Sequence, residues 1–249
     1  MTTNYDPIAE QYQRAKRQPW RAHIEAFTLL RLIGDPSGKA VIDIACGEGF
    51  YTRMIRQRGA ARVTGVDLSE KMIGLARAVE AKQRLGIEYF VGDGRRDLAI
   101  SADYDLAAAA YFLNYAHDRA ELHAMCRGIA HCLKPGGRFV TVNSNPACDF
   151  LSAPYYSKYG FEVSVAAPFR EGAPITWTFY LEDGPLTIEN YFLSVEVHEE
   201  TLRAAGFRNI RWHRPMLAPE GQSIYGRDYW SVMLDHPPIT FVECIRAEA

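Results

Sequence analysis

The chain has 249 residues, 48% of them hydrophobic, enough to bury one large core with room for an elaborated lid. Its 28 lysines and arginines nearly balance 30 aspartates and glutamates, so there is no basic footprint for nucleic acid or an anionic membrane. Residues 1–6 (MTTNYD) lack a signal-peptide pattern, no apolar run reaches membrane-spanning length, and the five cysteines are scattered without a C-x-x-C pair. These features predict a reduced, cytoplasmic protein with free thiols and no metal site.

In chain order, Ile24, Phe27, Leu30 and Ile33 recur at helical spacing across residues 20–33, and Gly34-Asp35-Pro36 stops that helix. The apolar run 40–45 reads as a strand buried on both faces. A second strand over 61–66 ends at Asp67, and Ser69 caps the helix carrying Met72, Ile73, Ala76 and Val79. Strands at 87–91 and 104–110, a helix at 120–133 ended by Lys134-Pro135-Gly136-Gly137, and a strand at 138–142 continue the alternation. Such a rhythm predicts a doubly wound, mostly parallel α/β sheet.

The rhythm breaks near residue 145. An aromatic-rich stretch follows to about residue 195, with runs 175–181 and 186–193 flanking the turn residues Glu182-Asp183-Gly184-Pro185, as for an antiparallel hairpin. Regular elements resume as a helix over 197–205, a strand over 209–213 and a final strand over 239–245, and the sheet is expected to carry an antiparallel edge strand. The expected organisation is one domain: an N-terminal cap (1–35), a cofactor-binding core (36–144), a substrate-covering insertion (145–195) and a C-terminal part of the sheet (196–249).

The strongest local signal is the strand leading into Gly47-Glu48-Gly49 and then a helix, with Asp67 twenty residues after Gly47. Glycines there let backbone approach a ligand, and an acid at the end of the second strand can accept hydrogen bonds from both ribose hydroxyls. A dinucleotide site calls for a third glycine, where this chain has Thr52. Asp43 and Glu48 would repel pyrophosphate but suit a cofactor bearing an amino group and a sulfonium. The sign of charge favours S-adenosylmethionine over NAD and disfavours an oxidoreductase. The cofactor motif is intact, which ranks a catalytically inactive binding protein low.

Residues 41–49 (VIDIACGEG), Gly65-Val66-Asp67-Leu68-Ser69, Val91-Gly92-Asp93-Gly94 and Leu133-Lys134-Pro135-Gly136-Gly137 resemble the successive motifs of class I S-adenosylmethionine-dependent methyltransferases over roughly residues 36–144. The departure is Ala45, where the first glycine is usual. The resemblance implies that Asp43, Ala45 and Gly47 line the methionine part, Asp67 holds the ribose, Met72 or Leu68 packs on adenine, and Asp93, beside Gly94, accepts from the exocyclic amine. It also implies a mobile N-terminal cap in which Tyr5 and Tyr12 close on the cofactor.

Segments 59–73, 112–116, 158–160, 205–207 and 229–232 are similar to toxoflavin-type azapteridine N-methyltransferases. That likeness implies N-methylation of a planar heterocycle in antibiotic or related secondary-metabolite biosynthesis, with Trp177, Tyr191 and Trp230 as candidates for a stacking pocket. Tyr111 and Asn114, just past the fourth strand, are further acceptor-site candidates, Tyr111 also a catalytic candidate beside His117. A ring nitrogen needs no base. A hydroxyl or carbon acceptor, the alternative, would need one, and His117, Asp118 and His213 are the candidates, His117 foremost.

Overall fold

The computed structural model describes residues 5–95, 103–152 and 154–248; residues 1–4, the first of the expected cap, lie outside them. Among the described residues, ten strands form two sheets. The large sheet contains β1 (Ala40–Ile44), β2 (Arg62–Asp67), β3 (Glu88–Val91), β4 (Tyr104–Ala110), β5 (Leu133–Ser144), β9 (Phe207–His213) and β10 (Ile239–Arg246), in the order β3-β2-β1-β4-β5-β10-β9. Pairings from β3 to β5 are all parallel, whereas β10 runs antiparallel to both β5 and β9. The antiparallel element therefore sits one place in from the margin.

Helices α3 (Phe50–Gln57), α4 (Glu70–Gln83), α5 (Arg119–Cys132) and α6 (Val195–Ala204) provide the crossovers. Their starts follow local chemistry. The Ser69, Asp118 and Ser194 side chains accept from the backbone N–H groups of Met72, Glu121 and Val197, which would otherwise be unpaired. The central strands read as apolar because both faces are covered: Val41, Ile42, Ile44, Ala107, Ala108 and Ala109 are all buried. The Lys134-Pro135-Gly136-Gly137 stretch ends α5 as expected, and the extended chain of β5 already begins at Leu133.

The aromatic stretch forms a second, antiparallel sheet, β6 (Phe161–Val165), β7 (Pro174–Leu181) and β8 (Gly184–Tyr191). The hairpin follows the turn chemistry of the sequence. β6 was not foreseen, because Phe161–Val165 is too short to show its period next to Tyr159 and Gly160. Ile175, Trp177 and Phe179 of β7 and Leu186, Ile188 and Asn190 of β8 alternate onto the buried face. Asn190 occupies an inward position that pattern alone assigns to an apolar residue.

The N-terminal residues pack on that face. α1 (Ala9–Ala15) is followed by a π-helical turn, Arg21–Ala26, that runs into α2 (Phe27–Ile33), and Trp20 lies 5.0 Å from the Phe161 ring. The helix expected over residues 20–33 is thus widened in its first half. π-Turns within helices are rare and concentrate at functional sites. The remaining helices are α7 (Pro219–Tyr225) and α8 (Ser231–Asp235).

Candidate active site

The strand order reverses direction of growth between β1 and β4, the place where open α/β sheets bind ligands outside their strand ends. A cavity of about 330 Å³ lies there, among Tyr5, Ala45, Asp67, Leu68, Asp93 and Gly94. Phe112, Tyr115 and Met125 also line it. Of the two candidates for an apolar wall, Leu68 faces the cavity and is half exposed, whereas Met72 is buried beneath it.

The loop after β1 is held open by backbone geometry. Gly47 has φ +57°, and a Cβ added there would meet nothing within 4 Å, so its bare backbone faces space. Gly49 caps α3 at φ +83°, and a Cβ there would strike the Tyr89 hydroxyl. Ala45, standing where glycine is usual, adopts φ +57° and is one of the few non-glycine residues in the left-handed region. Asp67 ties this loop to the end of β2: its carboxylate accepts from the backbone N–H of Gly47 at 2.8 Å and of Ser69 at 2.9 Å. Burial nevertheless raises the Asp67 carboxyl above its ordinary range despite those donors. Asp93 is gripped by Arg95 through two bonds of 2.8 Å.

Beside this cavity is a small recess formed by Tyr12, Lys16, Asp43, Ala45, Gly47 and Glu48, with Ala110 behind. Asp43 is buried and accepts the Thr52 hydroxyl at 2.6 Å; burial pushes its carboxyl up to about 7, against the effect of Thr52 and Lys16. Thr52, read from sequence only as a missing glycine, is the residue that holds Asp43. Glu48 pairs with Arg53 at 2.7 Å. Its charge therefore discriminates against pyrophosphate less than the sequence suggests.

A second pocket lies under the small sheet, walled by Tyr12, Arg21, Tyr111, Trp177, Phe179 and Asn190. Tyr5 and Tyr115 line both this pocket and the cofactor-sized cavity, with their hydroxyls in contact and their rings 6.2 Å apart, edge to face. They form the partition between the two spaces. Asp6 fastens the segment by accepting from the Ser69 hydroxyl at the start of α4.

Behind the pocket is a buried ionic cluster. Glu25 is fully buried, accepts from the hydroxyls of Tyr51 and Tyr111, pairs with Arg21 at 2.5 Å and lies 3.7 Å from Lys16. Burial alone would raise the Glu25 carboxyl, but Arg21, Lys16 and the two hydroxyls together hold it below its usual range. Tyr111 is fixed by this bond in a left-handed conformation, φ +63°, which a tyrosine adopts only when its surroundings impose it.

Other residues singled out by sequence fall elsewhere. His117 lines neither space: its Nδ1 lies 2.9 Å from the Glu121 carboxylate, and its ring packs on Tyr191 at 3.7 Å between centroids. Asp118 caps α5, and His213 faces Glu243 at the far margin of the large sheet. Trp230 is a core residue, stacked on Tyr159 and donating to the Gly221 carbonyl. Asn114 is buried beside the partition with neither amide atom paired. Lys16, Arg21, Glu25, Tyr51, Tyr115 and Asn190 were not anticipated. A charged i,i+4 pair inside an otherwise buried helix, Arg21 and Glu25, was the available signal.

Comparison with known proteins decides the chemistry. Residues 41–137 match the family described as "Methyltransferase domain". The chain is 26% identical over 208 residues to N-demethylindolmycin N-methyltransferase of Streptomyces griseus, covering 81% of this chain and 85% of the relative. It is 27% identical over 225 residues to a ubiquinone/menaquinone biosynthesis C-methyltransferase of Desulfotalea psychrophila, covering 87% and 83%. This chain is a class I S-adenosylmethionine-dependent methyltransferase.

The fold agrees: an S-adenosylmethionine-dependent methyltransferase structure from Mesorhizobium loti superposes with a TM-score of 0.63 at 23% identity, covering 93% of this chain and all of that one. S-Adenosylmethionine is the cofactor of this methyltransferase, and a small molecule its acceptor. The residues present suit that cofactor. Open backbone at Gly47, a carboxylate at the end of β2 and the apolar Leu68 are the kinds of group that a methionine end, a ribose and an adenine require.

Proposed function

We propose that this methyltransferase methylates a ring nitrogen of a small planar heterocycle, held in the aromatic pocket beyond the Tyr5–Tyr115 partition. The observation that carries this reading is the lining of that pocket. It holds aromatic faces, amide and N–H groups, and among the described residues no histidine or carboxylate faces it. A planar ring can stack there, and a ring-nitrogen lone pair can attack without a base in the pocket. The relative named for N-methylation supports the same choice of atom. An O- or C-methyl acceptor would need a base, and the Tyr5, Tyr111 and Tyr115 hydroxyls of the pocket are poor ones, since burial keeps them protonated well above their ordinary range.

In this reading S-adenosylmethionine supplies an electrophilic methyl group on a sulfonium. Asp67 accepts from the ribose hydroxyls, Leu68 covers the adenine, and Asp93, with Gly94 alongside, receives the exocyclic amine. Asp43 and the backbone at Ala45, Gly47 and Gly49 receive the methionine end, with Lys16 toward its carboxylate. Tyr5 and Tyr12 close over both ligands and keep water out, since methyl transfer needs chiefly alignment and a dry site. Only about 20 Å³ is open in the acceptor pocket, room for about one water, so the N-terminal segment must swing away to admit the acceptor.

A place in bacterial antibiotic or related secondary metabolism fits this chemistry. So does a cytoplasmic location, and no helix among the described residues is long and apolar enough to cross a membrane. The test is calorimetry with S-adenosylhomocysteine, followed by incubation with labelled S-adenosylmethionine and a panel of nitrogen heterocycles. Carbon-13 NMR of the product then distinguishes N-methyl from O-methyl and C-methyl. Transfer to phenols or carbon acids in preference to ring nitrogens would overturn the proposal.

A further inference from the structure

The acceptor pocket is chemically one-sided. The Arg21 Nε–H and the Trp177 Nε1–H have no hydrogen-bond partner, although both side chains are almost wholly buried. Buried N–H groups left unpaired are costly and uncommon in native proteins, and a pair of them around one pocket points to a ligand that completes them. The two groups flank Phe179, whose ring lies 5.3 Å from the Arg21 guanidinium carbon and 6.1 Å from the Trp177 ring. All three residues line the same small pocket.

Its charge is one-sided too. Among the described residues, Arg21 is the only charged one lining the pocket. Its partner Glu25 lies behind it, and there Lys16 and two tyrosine hydroxyls also draw on the carboxylate. Asp43, the other acid near Lys16, is pushed up to about 7 and is itself partly protonated near neutral pH.

We infer that the acceptor binds as an anion: a planar heterocycle that has lost an acidic imide or lactam proton, with its charged edge held by Arg21 Nε–H and Trp177 Nε1–H. This rests on the planar-heterocycle reading above and specifies its ionisation state. A ring-nitrogen lone pair of the anion forms the new bond to the methyl carbon while the carbon–sulfur bond breaks toward sulfur. No proton moves. One negative and one positive charge become two neutral products, so the methylated ring loses its attraction for Arg21 and departs. The proton is shed in solution before binding, which explains a pocket without a base.

The experiment uses the full chain loaded with S-adenosylhomocysteine, whose uptake is measured first by calorimetry. Urate and 5-nitrouracil, each a ring-deprotonated anion at pH about 7.5, are then titrated against hypoxanthine and uracil, which are neutral. We expect each anion to bind about tenfold or more tightly than its neutral counterpart, as hydrogen bonds to a charged group require. Trp177→Phe, which keeps the ring and removes the N–H, should cut that ratio about fivefold. Arg21→Gln alone would leave Glu25 buried without its cation, so Arg21 is tested in the double variant Arg21→Gln, Glu25→Gln, where the ratio should fall to near unity. Equal binding of anions and neutrals, or a ratio that survives both variants, overturns the inference and leaves the planar-acceptor reading standing. Uptake of S-adenosylhomocysteine with no binding of any of these heterocycles refutes both, and failure to take it up refutes the cofactor site itself.

Discussion

The two halves of the proposed site, one for the cofactor and one for the acceptor, are made differently. The cofactor side comes from neighbouring strands and their connecting loops, Asp43 to Gly49 and Asp67 to Ser69, paired in parallel register. The acceptor side is gathered from Arg21 and Glu25 in a π-turn, Tyr111 past β4, and Trp177 and Asn190 in the small sheet. In the first, function sits in backbone shape: positive-φ positions and strand ends. In the second it sits in side chains that meet only after the chain has closed on itself. The lesson is that a cofactor common to many enzymes can be bound by local geometry, whereas the acceptor is recognised by long-range contacts that each enzyme can change without disturbing the sheet.

The sharpest way to break this contrast is to remove the anchor of the acceptor side. Glu25→Ala leaves Arg21 and Lys16 buried without their carboxylate, and loss of one partner of a buried pair costs about 3–5 kcal/mol. Denaturant unfolding should show a destabilisation of that size. A change under about 1 kcal/mol would mean the cluster is solvated and has no structural role.

A smaller effect is expected on the cofactor side. Asp67→Asn preserves shape but removes the charge that accepts from the Gly47 and Ser69 N–H groups and that is proposed to receive the ribose. Charge-assisted bonds contribute about 1.5–3 kcal/mol each, so affinity for S-adenosylhomocysteine should drop about a hundredfold by calorimetry. Near-native affinity would move the ribose away from β2.

The same contrast explains what could be read from the amino-acid order. The doubly wound sheet was legible because both-face burial gives short apolar runs such as residues 41–44, and because Gly47, Asp67 and Ser69 act within a few residues of their place in the chain. His117, Tyr191 and Trp230 were candidate site residues by type and position, yet His117 is taken up by Glu121 and by packing against Tyr191, and Trp230 by the core. Nothing in periodicity brings Arg21 to Trp177. Two local anomalies did hint at the acceptor side: a charged pair within a buried helix, and Asn190 at an inward position of a strand otherwise filled by Leu186 and Ile188.

The smallest effects sharpen the comparison at Asp43, where local and tertiary chemistry meet. Burial raises its carboxyl from 3.8 to about 7, so the folded chain retains a proton that the unfolded chain sheds between those values. Its contribution to stability is therefore present below the unfolded value and is lost as pH rises through about 7. With the methionine end placed as proposed, cofactor binding would reverse the preference, because an ammonium nearby favours the ionised acid. Affinity for S-adenosylhomocysteine should rise about tenfold between pH about 6 and about 8, with proton release, and Asp43→Asn should flatten the profile. Thr52→Val removes the hydroxyl that stabilises the ionised form while keeping the volume. A bond worth about 1 kcal/mol corresponds to about 0.7 of a pH unit, so the midpoint should move upward by that amount with little change in the plateau affinity. If the midpoint stays in place, Thr52 is a packing residue, and the acid of β1 is set by burial alone.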